Sequence, residues 1–187
     1  MNSRGQVQAL VVYESMFGNT EAVAAAVAHG LELGGVGTGL VDVTSAPATL
    51  SSDLDLLVVG GPTHASSLSR PSTRVDAVRQ GAAPQRAGGG VREWLGSCRH
   101  HQVPPLQLAA FDTRATQVGW DPRSAAGAAA RLARRRGFRV TTPPVSFLVG
   151  DVTGPLVEGE LEEAVAWGRQ LARACRSHLA DYSVPAE

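Results

Sequence analysis

An apolar run, Leu10, Val11, Val12 and Tyr13, breaks abruptly into Glu14, Ser15, Met16, Phe17, Gly18, Asn19 and Thr20, and a helical pattern starts at once. No other stretch constrains the chain as much. An apolar run without alternation is a strand covered on both faces. A small, hydroxyl- and amide-bearing turn that opens a helix directs backbone N–H groups at whatever sits beyond it. A phosphate suits such a turn.

The remaining pattern alternates between strand and helix. Strand one covers residues 7–13, and the helix after it covers 20–33, with Ala22, Val23, Ala26, Val27 and Gly30 at helical spacing and Glu21 at the positive end of the macrodipole. Gly34 and Gly35 stop it. Residues 35–39 spell a pattern like the dinucleotide fingerprint, but they follow a helix and open a strand, the reverse of what that motif requires. They read as a helix stop and turn. Further strands are expected at 40–43, 54–59 and 106–111. A fifth lies within 139–150, split by Pro143 and Pro144.

Helices are expected through Val75 and Val78, over 91–97, over 122–136 with Asp121 as cap and Pro122 in the first position, and over 161–179. Residues 81–90 read as a flexible connection. The sum is a single domain over 1–187, a doubly wound five-stranded parallel sheet in the order 2-1-3-4-5 with helices on both faces. In that order strands one, three and four are neighbours. The polar loops after them, at 14–20, 60–71 and 112–120, therefore converge on one crevice at the carboxyl end of the sheet, where open α/β sheets bind ligands.

Composition removes several classes. The 17 basic residues balance the 17 acidic ones, so net charge suggests no polyanion partner. Every basic residue is Arg, which excludes a P-loop lysine and Schiff-base chemistry. Cys98 and Cys175 are too few and too far apart for a disulfide framework, which fits a reducing compartment. The first residues run into strand one without a signal region, and no apolar run reaches membrane-spanning length, so the reading is cytoplasmic with no membrane partner.

Cys98, His100 and His101 are all ligand types, but they form one cluster without a second half at finger-like spacing, so no metal is expected. Ser15 lacks the glycines of a nucleophile elbow, and no catalytic residue is assigned. Arg134, Arg135 and Arg136 read as a solvated run complementing a helix end rather than a nucleic-acid patch, since no aromatic residues interleave with them.

Ser15-Met16-Phe17-Gly18-Asn19-Thr20 resembles the phosphate loop of the flavodoxin family. Gly61-Pro62-Thr63-His64 and the loop after it resemble that family's second flavin-binding segment. Residues 147–168 resemble its passage from last strand to last helix. The similarity covers nearly the whole chain. It implies tight noncovalent binding of FMN and electron shuttling between a separate reductase and an acceptor protein, by a monomer or weak dimer. The alternative within the same fold is an FMN-dependent oxidoreductase acting on a quinone, a porphyrinogen or another small acceptor. The carrier is favoured because the chain has no room for a nicotinamide domain and no long insertion for a substrate lid.

By position, the resemblance gives the FMN phosphate the hydroxyls of Ser15, Thr20 and Thr63 and the amides of Met16, Phe17, Gly18 and Asn19. It seats the ring between Pro62, Thr63, His64, Ala65 and Ser66 on one side and Asp112, Thr113, Arg114, Gly119 and Trp120 on the other. The chain departs from the family in three ways. Its first ring loop has no aromatic residue, which leaves Trp120 to stack on the flavin or simply to pack at a helix start. Ala65-Ser66 stands where a glycine commonly lets a peptide turn over toward the reduced flavin. A non-glycine residue at positive φ costs on the order of 1 kcal/mol, so modest stabilisation of the one-electron state is expected. Finally, the chain is neutral where the family is acidic, so charge should lower the hydroquinone potential less.

Overall fold

The computed structural model describes residues 6–100, 104–118 and 123–182. Strands β1 (Gln8–Tyr13), β2 (Gly37–Asp42), β3 (Leu56–Pro62), β4 (Gln107–Ala115), β5 (Arg139–Val140) and β6 (Val145–Val149) form one sheet. All pairings are parallel, in the order β2-β1-β3-β4-β5, and β6 also pairs with β4. The expected doubly wound architecture is present, with six strands rather than five. Pro143 and Pro144 have no N–H to donate, so the last strand breaks there. β5 holds Gln107 and Leu108 of β4, whereas β6 holds Phe111 to Ala115.

The sheet sorts its side chains by alternation. Val11, Leu56, Val58, Ala109 and Phe111 face helices α1 (Asn19–Leu33) and α5 (Glu160–Tyr182). Val12, Leu57, Val59, Leu108 and Ala110 face α3 (Val91–Ser97) and α4 (Ala125–Arg135). Both faces are thus covered, which is why the strands read as unbroken apolar runs. Phe111, Phe147 and Trp167 pack edge to face, with centroids 6.0–6.2 Å apart. Phe111 also occupies the space that a side chain at Gly60 would need. α1 and α5 meet at Gly30 and Gly168, where an added Cβ on either would strike the other helix's backbone.

Helix ends follow local chemistry. α1 stops at Gly34, and Gly35 at φ 78° lets Val36 N–H return to the carbonyl of Leu31 at 3.1 Å. α2 (Pro71–Arg79) begins with a proline. α4 starts at Ala125, capped by Ser124, whose Oγ accepts from Gly127 N–H at 3.1 Å. This corrects the expected cap at Asp121, and residues 119–122, including Asp121 and Pro122, lie outside the described residues. No described helix is long and apolar enough to cross a membrane.

The largest departure is at β4, which runs on through Asp112, Thr113, Arg114 and Ala115, residues expected in a loop. Polar residues usually end a buried strand, but here Asp112 and Thr113 are buried and hydrogen-bonded. β3 likewise extends to Pro62, in register with Thr113. The two strands carry their site residues on rigid sheet.

Candidate functional site

The turn between β1 and α1 is built around Gly18 at φ 93°, a left-handed conformation that favours glycine. A Cβ there would meet nothing within 4 Å, so the turn opens onto free space. No side chain caps α1. The first helical backbone bond is Ala22 N–H to Gly18 O at 3.0 Å, so the amides of Asn19, Thr20 and Glu21 have no acceptor within the helix. Ser15 Oγ accepts from Gly18 N–H at 3.1 Å and closes the turn. Asn19 Nδ2 donates to Thr153 O at 3.1 Å, fastening the segment before α5 onto the turn. Phe17 is partly buried and Met16 buried, the latter in a small cluster with Ala77 and Ala82.

A guanidinium completes the turn from far along the chain. Arg86, in the short helical segment Pro84–Ala87, donates to Ser15 O and to Glu21 Oε2, each at 2.8 Å. Tyr13 Oη donates to the other oxygen of Glu21 at 3.3 Å. Sequence reasoning missed Arg86, because it lies in the glycine-rich stretch expected to be flexible. The only local hint was a basic residue isolated among small ones.

The expected hydroxyls are present with defined partners. Thr20 Oγ1 and Thr113 Oγ1 are 2.7 Å apart and buried. Thr63 Oγ1 accepts from Ala125 N–H at 2.9 Å, at the start of α4. Ser15 and Thr63 therefore act as acceptors toward backbone and keep their own O–H to donate. Asp112 is fully buried, and its Oδ2 accepts from Ala126 N–H at 2.7 Å. Burial pushes its carboxyl above the usual range, against the pull of that bond, of Ser124 and Ser146, and of Arg114. Asp112 thus anchors α4. Arg114 is half-buried on β4, and Gly119 and Trp120 lie outside the described residues.

After β3, His64 and Ser67 exchange both backbone bonds, at 2.9 and 3.0 Å. Ala65 at φ 46° and Ser66 at φ 61° sit between them, which makes a tight turn with both central residues left-handed. Both residues thus hold positive φ in the folded chain without a glycine. Arg92 holds the turn, and Arg74 holds the loop just after it. Arg92 donates through Nε to Ser69 O at 2.9 Å and through Nη2 to Ser67 Oγ and Leu68 O at 3.1 and 2.7 Å. Arg74, itself buried, donates to Ser69 Oγ at 2.9 Å and pairs with Glu93 at 3.1 Å. These bonds offset the strain of order 1 kcal/mol per left-handed residue. Burial, and then Arg74, lower the pKa of the His64 imidazole.

The β1–α1 turn, the 64–67 turn and the end of β4 stand together through bonds linking Glu14 N–H to Gly60 O, Thr63 N–H to Thr113 O, and Thr20 to Thr113. Cys98 and His100 turn elsewhere. Cys98 is buried, and His100 lies against the ring of Phe138 with Nε2 3.1 Å from Arg136 O. His101 lies outside the described residues.

No protein-family model matches the chain, and no curated protein does. Solved structures do. A flavodoxin from the domain Archaea is similar over 91% of this chain and 99% of its own, at 21% identity and a TM-score of 0.64. Oxidised flavodoxin 2 from Bacillus cereus is similar over 92% and 99%, at 17% identity and 0.59. Rubredoxin oxygen:oxidoreductase from Desulfovibrio gigas is similar over 92% of this chain but 37% of its own, at 20% identity and 0.61. The chain has the flavodoxin-like fold.

Proposed function

We propose that this chain binds FMN and transfers electrons as a flavodoxin-type carrier, between a reductase and an acceptor protein. One observation carries the reading. An uncapped helix N-terminus, opened by a left-handed glycine and facing free space, stands at the sheet end where the 64–67 turn and the end of β4 also lie. Backbone amides aimed into such a space hold a dianion without reorganisation. The residues present fit the phosphate of FMN. The amides at the start of α1 and the spare hydroxyl protons of Ser15 and Thr63 are donors, and Glu21, the carboxylate of the first turn, is paired with Arg86. When bound, FMN supplies a ring that accepts and releases one or two electrons.

The carrier reading is supported by what the polar groups at this end already do. Asp112 and Thr63 hold α4, Arg92 holds the 64–67 turn, Arg74 holds Ser69 after it, and Thr20 holds Thr113. They position backbone and do not present acid–base groups to a substrate. His64, uncharged at neutral pH because its pKa is lowered, is the polar neighbour of the ring. The purified chain mixed with FMN should turn yellow at one equivalent and quench flavin fluorescence, and riboflavin should bind much more weakly. A colourless protein, or unchanged FMN affinity in the Ser15→Ala/Thr20→Ala double variant, would remove the assignment. Reduction by NADPH that requires an added flavodoxin reductase supports the carrier, whereas rapid unaided NAD(P)H–quinone turnover means an oxidoreductase.

A further inference from the structure

Beside the 64–67 turn, on the side away from α1, a cleft of ≈ 240 Å³ lies between α3 and α4. Its walls are Arg92 from α3 and Arg131 and Arg135 from α4, and Leu68 and Leu132 also line it. Among the described residues, no carboxylate lines it. Residues 123–150 hold six arginines and neither Asp nor Glu, and Glu93, beside Arg92 on α3, is paired with Arg74. Arg131 and Arg135 lie one helical turn apart, and neither has a hydrogen bond or ion pair with any described residue. Arg92 spends Nε and Nη2 on the turn, and these bonds leave Nη1 unused. Ser67 Oγ accepts from Arg92 and keeps its own proton to donate.

We propose that this cleft is a binding site for a small molecule carrying a diphosphate group. Three like charges facing one space repel one another until an anion joins them. The helix dipole does not explain their convergence. It favours Arg134 and Arg135 in the last turn of α4, but Arg131 precedes that turn and Arg92 belongs to another helix. A single carboxylate satisfies one guanidinium fork and leaves two charges uncompensated, whereas the several oxygens of a diphosphate meet all three. The volume is below the roughly 300–1,000 Å³ of pockets for drug-sized ligands, so it takes one such group, with the rest of the ligand outside. A nucleic-acid strand is disfavoured, because no aromatic side chain among the described residues lines the cleft to stack a base. A ligand bonded to Ser67 Oγ also touches the 64–67 turn, since Ser67 holds both backbone bonds to His64.

The test uses the purified full chain and inorganic pyrophosphate, followed by calorimetry and by amide NMR shifts. Pyrophosphate should bind at one site, roughly tenfold or more tighter than acetate at equal ionic strength, and shift Ser67 together with the cleft-facing residues of α4. The Arg131→Ala/Arg135→Ala variant should lose about tenfold or more and still fold, since both side chains are exposed. An Arg134→Ala/Arg173→Ala variant removes the same charge elsewhere and should bind as the parent does. The proposal fails if pyrophosphate binds no better than acetate, or if the two variants weaken binding equally. It also fails if poly-glutamate shifts the cleft residues and pyrophosphate does not, which would make the face a dock for an acidic protein.

Discussion

The guanidinium of Arg86 donates to the backbone carbonyl of Ser15 at 2.8 Å, across 71 positions of sequence. In a trans peptide the carbonyl and the following N–H point opposite ways. Arg86 therefore turns the Met16 amide away from itself. Its charge is already paired with Glu21 at 2.8 Å, so its role at the turn is positioning. Removing a charge-assisted hydrogen bond costs about 1.5 kcal/mol, or about tenfold in an equilibrium. Arg86→Ala should weaken FMN by about that factor and riboflavin little, because only FMN carries the phosphate. Equal losses for both flavins, measured by fluorescence titration, would assign Arg86 to the fold alone.

Gly18 bears on the same turn by a different route. At φ 93° an alanine costs about 1–2 kcal/mol of backbone strain. It meets no neighbour within 4 Å, so packing adds nothing. The Cβ instead enters the space facing the uncapped amides of α1. Gly18→Ala should lower stability by about that strain and lower FMN affinity by a larger factor. Calorimetric melts of the FMN-free protein, set beside FMN titrations, separate the two effects. An affinity unchanged after correcting for folding would mean that the open space is not where phosphate binds.

The strand, turn and helix at 8–33 were legible in the sequence because each depends on neighbours within a few residues. So was the split at Pro143 and Pro144. What was not legible depends on distant partners. Asp112 and Thr113 look like the start of a loop until Ala126 and Thr20 are known to satisfy them in a buried strand. Arg86 looks like a solvated residue until the fold brings it to Ser15. Ser124 replaces Asp121 as the cap of α4, because both have suitable side chains and only the path out of β4 decides between them.

The 64–67 turn relocates a cost. Ala65 and Ser66 hold positive φ in the folded chain, where no glycine relieves them. The strain therefore falls on folding. Ala65 is exposed, so Ala65→Gly removes strain without opening a cavity. Against glycine's own entropy cost, the variant should gain about 0.5–1 kcal/mol, or about 1–4 °C in a chain of this size. A lowered melting temperature would show that Arg92 holds the turn at no net strain.

Glu14 gives a pH dependence whose sign can be worked out. It is buried between the β1 end and α3, where Oε2 accepts from Val91 N–H at 3.0 Å. Burial raises its pKa more than Ser69, Val91 and Arg74 lower it, and Glu93 adds to the rise. Between its ordinary and its raised pKa the folded chain thus binds more protons than the unfolded one, so stability falls as pH rises through that window. Glu14→Gln keeps an oxygen for Val91 N–H and removes the charge. The variant should match the parent at the acid end, where Glu14 is protonated, and exceed it at neutral pH with a flatter profile. Thermal melts across that range decide the matter. If Glu14→Gln is instead less stable at neutral pH, the carboxylate is ionised there and paired with Arg74, and burial is the weaker of the two effects.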